Sequence, residues 1–261
     1  MKETFGVSIK WLAVSCFEIQ CGNTTVVTDP YITECRGTEL DWEAVEKCEI
    51  ICVGHSHWDH ITDIPRLYQK FHPIVLCGEQ TAMPMAKWLN CNPTFMYPMY
   101  PDMELDFGDV KIRALYGRHS NLGYNFQDLS AWLAEDENCR RDPGIAALQD
   151  IGSMEYRNYL FTLSNGTKIL FWGNDPTPEQ IKMCSLLAPD IAIIQRGKTP
   201  EEIVRKAEFA AAIGCKVVIP HHHDFRRVDE SWVTENLKKE YLCRVPDGIF
   251  VIPEHGKWIR F

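Results

Sequence analysis

Short apolar runs alternate with amphipathic stretches along most of the chain. The runs at 50–53 and 190–195 are rich in Val and Ile, which is typical of buried strands, and 110–115, where apolar residues alternate with Lys111 and Arg113, also predict a strand. Helix start and stop signals bound the stretches at 63–71 and 199–213, the second of which begins at a Thr-Pro-Glu-Glu cap and ends before a glycine. The pattern predicts strands and helices that alternate through an α/β (α+β) fold.

Two stretches read as antiparallel strand sets. Residues 7–19 alternate loosely and predict one or two strands, and 24–28 predict another that ends at Asp29-Pro30. Later, 159–163 and 167–172 flank Asn165-Gly166, a pair typical of a type I′ hairpin turn. Each half of the chain therefore opens with hairpin-like strands and closes with a strand that ends in polar residues.

Composition limits the class of protein. A chain of 261 residues that is 45% hydrophobic can bury one substantial core, so we expect a single domain over 1–261. Its 27 basic and 36 acidic residues give a net charge of −9, which argues against a nucleic-acid partner. Eleven cysteines without CxxC spacing favour a reducing cytoplasm, and no run approaches the ~18 apolar residues of a membrane span. We expect a soluble cytoplasmic protein.

Residues 121–156 interrupt the alternation of strands and helices. They contain Gly and Asn residues, a charged cluster at 135–144, and a stretch at 129–134 that could be helical. The segment is either a solvated excursion or a flap insertion that shapes a substrate pocket, and the flap is our prediction.

The highest density of potential metal-ligating residues lies directly after the strand at 50–53. His55, His57, Asp59 and His60 place three imidazoles and a carboxylate within six residues. This combination suits zinc, with manganese or iron also possible. Four ligands on one loop exceed what a single tetrahedral catalytic ion takes from it, so we predict two divalent ions.

The HxHxDH spacing of 55–60 resembles the signature of the metallo-β-lactamase superfamily. That resemblance implies a four-layer αββα sandwich, with the site in a crevice between two sheets. It also implies that Asp29 orients a metal ligand without binding metal itself. His119, in the loop after the strand at 110–115, would be the third ligand of the first ion.

Two later stretches, each after a predicted strand, complete the ligand set that the resemblance implies. In Pro220-His221-His222, the family pattern Pro-x-His selects His222, and on an extended chain its neighbours would face away from it. In Gly173-Asn174-Asp175-Pro176, the family places an aspartate that bridges the ions. Position favours Asn174, but an anionic bridge offsets the repulsion between two cations, so we predict Asp175.

The predicted site has the following composition. One ion would be held by His55, His57 and His119, and the other by Asp59, His60 and His222, with Asp175 between them and Asp59 also the candidate catalytic residue. A water shared by two cations loses a proton near neutral pH and can attack an ester, lactone, amide or phosphoester. We expect the substrate to be a small anionic metabolite.

Within the superfamily, the chain resembles the branch of the L-ascorbate 6-phosphate lactonases and related phospholipase D-type hydrolases. The start at 11–13 and the Pro-His-His-His-Asp ending at 220–224 support that branch, while Ala13-Val14 and Gly-Asn-Asp at 173–175 depart from its usual residues. Two alternatives stay open: a phosphodiesterase acting on lipid headgroups or nucleic acid, and a metal-binding or redox protein without hydrolysis. Assembly into a homo-oligomer is also left open.

Overall fold

The structure is a computed structural model that describes residues 5–119, 142–224 and 231–261. Within these ranges the strands form two sheets of seven. The first sheet has the order β14-β1-β2-β3-β4-β5-β6. Its strands are β1 (Ser8–Ala13), β2 (Cys16–Cys21), β3 (Thr24–Thr28), β4 (Ile50–Cys52), β5 (Ile74–Gly78), β6 (Met96–Met99) and β14 (Trp258–Arg260).

The second sheet has the order β13-β12-β11-β10-β9-β8-β7. Its strands are β7 (Glu104–Asp106), β8 (Val110–Gly117), β9 (Tyr156–Leu163), β10 (Lys168–Trp172), β11 (Ile191–Gln195), β12 (Val217–His221) and β13 (Ile249–Phe250).

Both sheets are mixed in the same way. In the first, β14, β1, β2 and β3 pair antiparallel, and β3 to β6 pair parallel. In the second, β7 to β10 pair antiparallel, and β10 to β13 pair parallel. The prediction that each half opens with hairpin-like strands matches this arrangement. Parallel strands bring their carboxyl ends to one edge, which is where α/β proteins place their sites.

Helices cover the outer faces of the two sheets. They are α1 (Trp58–Ile61), α2 (Ile64–Phe71), α3 (Glu79–Trp88), α4 (Pro143–Met154), α5 (Pro178–Leu187), α6 (Pro200–Ala212) and α7 (Ser231–Arg244). In the described parts of the chain, no helix is both long and apolar enough to cross a membrane.

Three apolar clusters separate the layers. One fills the space between the sheets and includes Phe17, Phe161 and Phe171. A second joins the first sheet to its helices through residues such as Leu67, and a third joins the second sheet to its helices through residues such as Phe209. Because the central parallel strands are buried on both faces, β4, β5, β11 and β12 read as almost continuous apolar runs. The predicted four-layer αββα sandwich is confirmed.

The hairpin between β9 and β10 differs in detail from the prediction. A type I′ turn needs positive φ at both central residues, but of Asn165 and Gly166 only Gly166 has positive φ, at 88°. The Gly166 N–H donates to Leu163 O at 2.9 Å, and the Leu163 N–H donates to Thr167 O at 2.8 Å. The loop is therefore a three-residue connection with glycine in the left-handed position, one residue longer than Asn-Gly alone indicates.

The described part of 121–156 is also different from what we expected. Residues 120–141, including the possible helix at 129–134, lie outside the described residues, so the flap stays a prediction there. Residues 143–154 form α4, capped by Asp142, whose side chain accepts from the Gly144 and Ile145 N–H groups. Residues 142–144 belong to the helix start and not to the charged cluster at 135–144, since Asp at the N-cap followed by Pro is a helix start signal.

Gly166→Ala is expected to destabilise the fold by about 1 kcal/mol, because an L side chain is strained at its φ of 88°. A Cβ there would meet nothing within 4 Å, so the cost is conformational and not steric. Urea unfolding measures the change. Gly166→Asn is the matched control and should cost less, since asparagine tolerates this conformation. Equal stability of Gly166→Ala and the parent protein would contradict the assigned turn.

Candidate metal centre

The loop after β4 turns sharply because a buried carboxylate holds it. Asp29, fully buried at the end of β3, accepts from the Gly54 N–H at 2.5 Å through Oδ1. A Cβ on Gly54 would lie 3.0 Å from Asp29 Oδ2, so glycine allows this close approach. The chain then places His55 and His57 before α1, and Asp59 and His60 within it.

The structure brings six of the seven predicted ligands into two adjacent groups. In each group the candidate ligand atoms lie within 4.8 Å of one another. The groups are His55, His57 and His119, and Asp59, His60 and His222. They touch each other, since the ring centroids of His55 and His60 are 4.0 Å apart. The ligands follow β4 of the first sheet and β8 and β12 of the second, so the site lies where the two sheets meet.

Two ligands are oriented by side chains behind them. His60 Nδ1 lies 2.8 Å from Asp29 Oδ2, which places Asp29 in the orienting role that the resemblance implied. His57 Nε2 lies 2.9 Å from Ser153 Oγ, in α4. In each case one ring nitrogen is fixed and the other is left to bind a metal, which is the usual arrangement of a ligating histidine.

Helix α4 supports the whole histidine loop. Leu148 O accepts from Ser56 Oγ at 2.7 Å, and Gln149 Oε1 accepts from the Trp58 N–H at 2.8 Å. A Cβ on Gly152 would lie 2.7 Å from His57, so the helix lies directly against this ligand. No local pattern in the sequence indicated Ser153 or Gly152, since their roles depend on a tertiary contact across almost a hundred residues.

His222 is held in a strained conformation that ties the two sheets together. Its φ is 62°, and its N–H donates to Val14 O at 2.9 Å. Val14 also has positive φ, at 46°, and its N–H donates to the Asp224 carboxylate at 3.0 Å. Positive φ is costly for a β-branched residue and persists only where surrounding contacts impose it.

The histidines on either side of His222 have other partners. His221 Nδ1 lies 3.0 Å from Ser15 Oγ and its Nε2 3.1 Å from Trp172 O. The ring of His223 stacks on Trp11 at 4.5 Å. Neither belongs to a ligand group among the described residues, as predicted, but the reason is not the alternation of an extended chain, because His222 has a φ of 62°.

Asp175, the predicted bridge, is the one proposed ligand that the structure leaves apart. Its carboxylate pairs with Lys206 Nζ at 2.9 Å and with Arg205 at 3.1 Å, and its side chain is 43% exposed. It belongs to neither ligand group in the part of the chain that the structure describes. Two cations on α6 compete for this carboxylate, and no local pattern around 173–176 indicated them.

Asn174 occupies the position after Gly173 and is buried in an amide network. Its Oδ1 accepts from Asn158 Nδ2 at 2.6 Å, and its Nδ2 donates to Asp175 O at 2.8 Å. Asn158 Oδ1 in turn accepts from the Gly173 N–H at 2.9 Å. Because the outer members of the network are a backbone donor and a backbone acceptor, the orientation of both amides is fixed.

The electrostatics of the site suit metal binding. Burial, followed by neighbouring imidazoles, lowers the pKa of His55, and the same causes lower the pKa of His57 to about 3. Burial opposes ionisation of Asp59, but His60 and His222 outweigh it and hold the pKa of this carboxyl below its usual range. Neutral imidazole and ionised carboxylate are the forms that coordinate metals. In addition, His55 Nδ1 is buried with no hydrogen-bond partner among the described residues. These residues fit a divalent metal.

Comparisons with known proteins agree with the geometry. A family model described as "Beta-lactamase superfamily domain" matches residues 8–222. A UPF0173 metal-dependent hydrolase of Geobacillus sp. is 24% identical over 94% of this chain and 96% of its own. A UPF0173 protein of Pyrococcus abyssi is 27% identical, but the match spans 45% of this chain and only 52% of that protein.

Among solved structures, the chain resembles Igni18, described as a novel metallo hydrolase from the archaeon Ignicoccus hospitalis. The two share a TM-score of 0.72 at 13% identity, with 98% of each chain covered. At this identity the likeness concerns the fold.

Acid should destabilise the metal-free protein through His57. Its pKa is about 3 in the fold and about 6.5 in the unfolded chain, so between these values the unfolded chain binds more protons. Stability is therefore lost as the pH falls below about 6.5. Between pH 6.5 and 5.5, this histidine should contribute a loss of about 1 kcal/mol in unfolding free energy.

Urea unfolding with a chelator present, at both pH values, measures this loss. His57→Asn should reduce the pH dependence by that amount. His72→Asn is the control, because His72 is exposed and has a φ of 51° that asparagine also adopts. If the unfolding free energy of His57→Asn fell between pH 6.5 and 5.5 as much as that of the parent protein, a buried neutral His57 would be contradicted.

Ser153→Ala should weaken metal binding about 10-fold while leaving the fold intact, because it removes the hydroxyl that fixes the ring of His57. Competition with a chromophoric chelator measures the affinity. Ser185→Ala, in an exposed helical position where the hydroxyl bonds only a backbone carbonyl of its own helix, is the matched control. Equal affinities in the two variants would show that Ser153 has no orienting role.

Proposed function

The chain belongs to the beta-lactamase superfamily domain family, and on this basis we propose that it is a metal-dependent hydrolase with two divalent ions. Its substrate would be an ester, lactone or phosphoester of a small anionic metabolite. The observation that carries the proposal is the pair of adjacent three-ligand groups, one with three imidazoles and one with two imidazoles and a carboxylate. The printed description of the Geobacillus relative as a metal-dependent hydrolase supports the same class of reaction.

The ligands divide between the two ions. His55, His57 and His119 would hold one, and Asp59, His60 and His222 the other, with zinc the best match to this ligand set and manganese or iron also compatible. Two such ions, when bound, polarise a carbonyl or phosphoryl oxygen and acidify a bound water. Asp29 and Ser153, which bond one nitrogen of His60 and His57 respectively, would orient the other ring nitrogen of each histidine toward its metal ion.

Asp59 is our candidate catalytic residue. Its Oδ2 lies 3.8 Å from His60 Nε2 and 3.6 Å from His222 Nε2, and those imidazoles keep the carboxyl ionised despite its burial. An ionised carboxylate at this point can accept a hydrogen bond from an attacking water and orient it. The role would combine metal binding with the positioning of the nucleophile.

The net charge of −9 bears on the substrate. A chain with this charge repels polyanions at long range, so we propose a small molecule and not nucleic acid as substrate. The substrate would be either a lactone, as in the lactonase-like branch, or a phosphodiester. Ligand geometry alone supports both.

Purified protein should hold about two divalent ions per chain, and His57→Ala should remove at least one, because it deletes one of three ligands in a group. Elemental analysis measures the content. Hydrolysis of a chromogenic phosphodiester, an aryl ester and a thiolactone should fall at least about 100-fold in His57→Ala and on addition of chelator. His72→Ala, at an exposed position outside both groups, should change neither.

The outcomes separate the alternatives. Activity that survives complete removal of metal would overturn the proposal. Two bound ions without hydrolysis of any probe would contradict a hydrolase and support the metal-binding or redox alternative. A steep fall of phosphodiesterase activity with salt would point to nucleic acid as substrate.

A further inference from the structure

The loop between β10 and α5, residues 173–177, is linked to both ligand groups through residues that neighbour the ligands. The ring of Tyr156 stacks on His55 at 4.7 Å, and its hydroxyl lies so close to Gly173 that a Cβ there would be 1.7 Å from it. On the other side, His221, next to His222, bonds Trp172 O through Nε2 at 3.1 Å. Tyr156 and His221 therefore connect this loop and the strand end before it to the two ligand groups, through His55 and His222.

Asn174 follows Gly173 directly in this loop. Its side-chain amide is already hydrogen-bonded to other groups. Its oxygen accepts from Asn158 at 2.6 Å and its nitrogen donates to the Asp175 carbonyl at 2.8 Å. An amide carries no charge, and its nitrogen is a poor metal ligand. Asn174 therefore cannot supply an anionic bridge.

Asp175 carries the charge but is held away. Lys206 is only 2% exposed, and its ammonium lies 2.9 Å from Asp175 Oδ1 and 2.8 Å from Asn174 O. Moving the carboxylate to the metals would leave this buried ammonium without its counter-ion, which is strongly unfavourable. Arg205 binds the second carboxylate oxygen at 3.1 Å. The pairing with α6 fixes Asp175 outside the site.

The other carboxylates that the structure describes at the site, those of Asp29 and Asp59, do not supply a bridge either. Asp29 is occupied by the Gly54 N–H and by His60. Among the six grouped ligands, Asp59 is the only anion, and it belongs to one group. Two divalent cations a few ångströms apart repel strongly, and here one ligand carboxylate offsets four positive charges.

We propose that an oxyanion from solution, the phosphate or carboxylate group of the substrate, supplies a bridging negative charge that the described ligands do not provide, so that oxyanion binding and loading of the second ion are coupled. This inference rests on the proposed two-ion site and narrows its substrate class to molecules with such a group near the scissile bond. Without such an oxyanion, repulsion between the two ions should make the ion that binds second the more weakly bound one. By linkage, whatever factor the oxyanion adds to the affinity of the second ion, that ion adds to the affinity of the oxyanion.

Titration of the metal-free protein with Co²⁺, followed by visible absorption and calorimetry, tests the coupling. Without added anion we expect one tight ion and a second that binds about 100-fold more weakly. Inorganic phosphate at millimolar concentration should strengthen the second ion about 10-fold or more, within the usual range of coupling between sites. Acetate in place of phosphate distinguishes a carboxylate from a phosphate group. Loss of free Co²⁺ to phosphate would weaken both ions alike, so the first ion is an internal control.

Asn174→Asp should supply the missing bridge. We expect this variant to bind the second ion about 10-fold more tightly without phosphate and to lose most of the phosphate effect. Asn92→Asp is the matched control: it adds the same charge at an exposed position where the side chain caps a short turn, as aspartate also does. It should behave like the parent protein.

The results distinguish this inference from the proposed function. Two ions of equal, phosphate-independent affinity would overturn the inference and leave the two-ion hydrolase intact. Failure to bind a second Co²⁺ under any condition would overturn both. If Asn174→Asp does not fold, judged by its thermal transition, the titration of the parent protein with and without phosphate still decides.

Discussion

The contact on which the site depends is the buried carboxylate of Asp29. It accepts from the Gly54 N–H and bonds His60 Nδ1, so a single side chain fixes both the turn that begins the histidine loop and the orientation of one ligand in it. Burial raises the pKa of Asp29, while His60 and the Gly54 N–H counteract that rise. An unpaired carboxylate at this depth would be very costly, so the hydrogen bonds that hold the metal loop are also the ones that make the burial of Asp29 tolerable.

Three described residues near the site have strained backbone conformations. Val14, Asp29 and His222 all have φ between 37° and 62°, a region that non-glycine residues seldom adopt. Val14 and His222 are joined by a backbone hydrogen bond between the two sheets, and Asp224 holds the Val14 N–H. Since such conformations persist only where contacts impose them, the packing of one sheet on the other positions a ligand that the local chain would not place there.

What the sequence could predict depended on how local each feature is. His55 to His60 lie on one loop after one strand, so their spacing alone indicated a metal site, and buried sheets give apolar runs that reveal the strands. Asp175 could not be placed, because its partners Arg205 and Lys206 lie on a helix about thirty residues away. The support that α4 gives His57 was missed for the same reason. The extra residue in the hairpin at 164–166 was missed because Asn-Gly serves more than one turn geometry.

The two ligand groups differ in charge, and this difference gives them separate roles in the proposed reaction. His55, His57 and His119 offer imidazole nitrogens only, so an ion held by them would keep most of its positive charge available to polarise a substrate oxygen. The other group includes the Asp59 carboxylate, and its His60 is bonded to Asp29, which increases the electron density donated by that ring. Burial lowers the pKa of His60, but the carboxylates of Asp29 and Asp59 outweigh burial and raise it, because both negative charges lie on this side of the site. An anionic substrate entering the crevice would therefore be drawn toward the neutral-ligand side, with Asp59 left beside the water that attacks it.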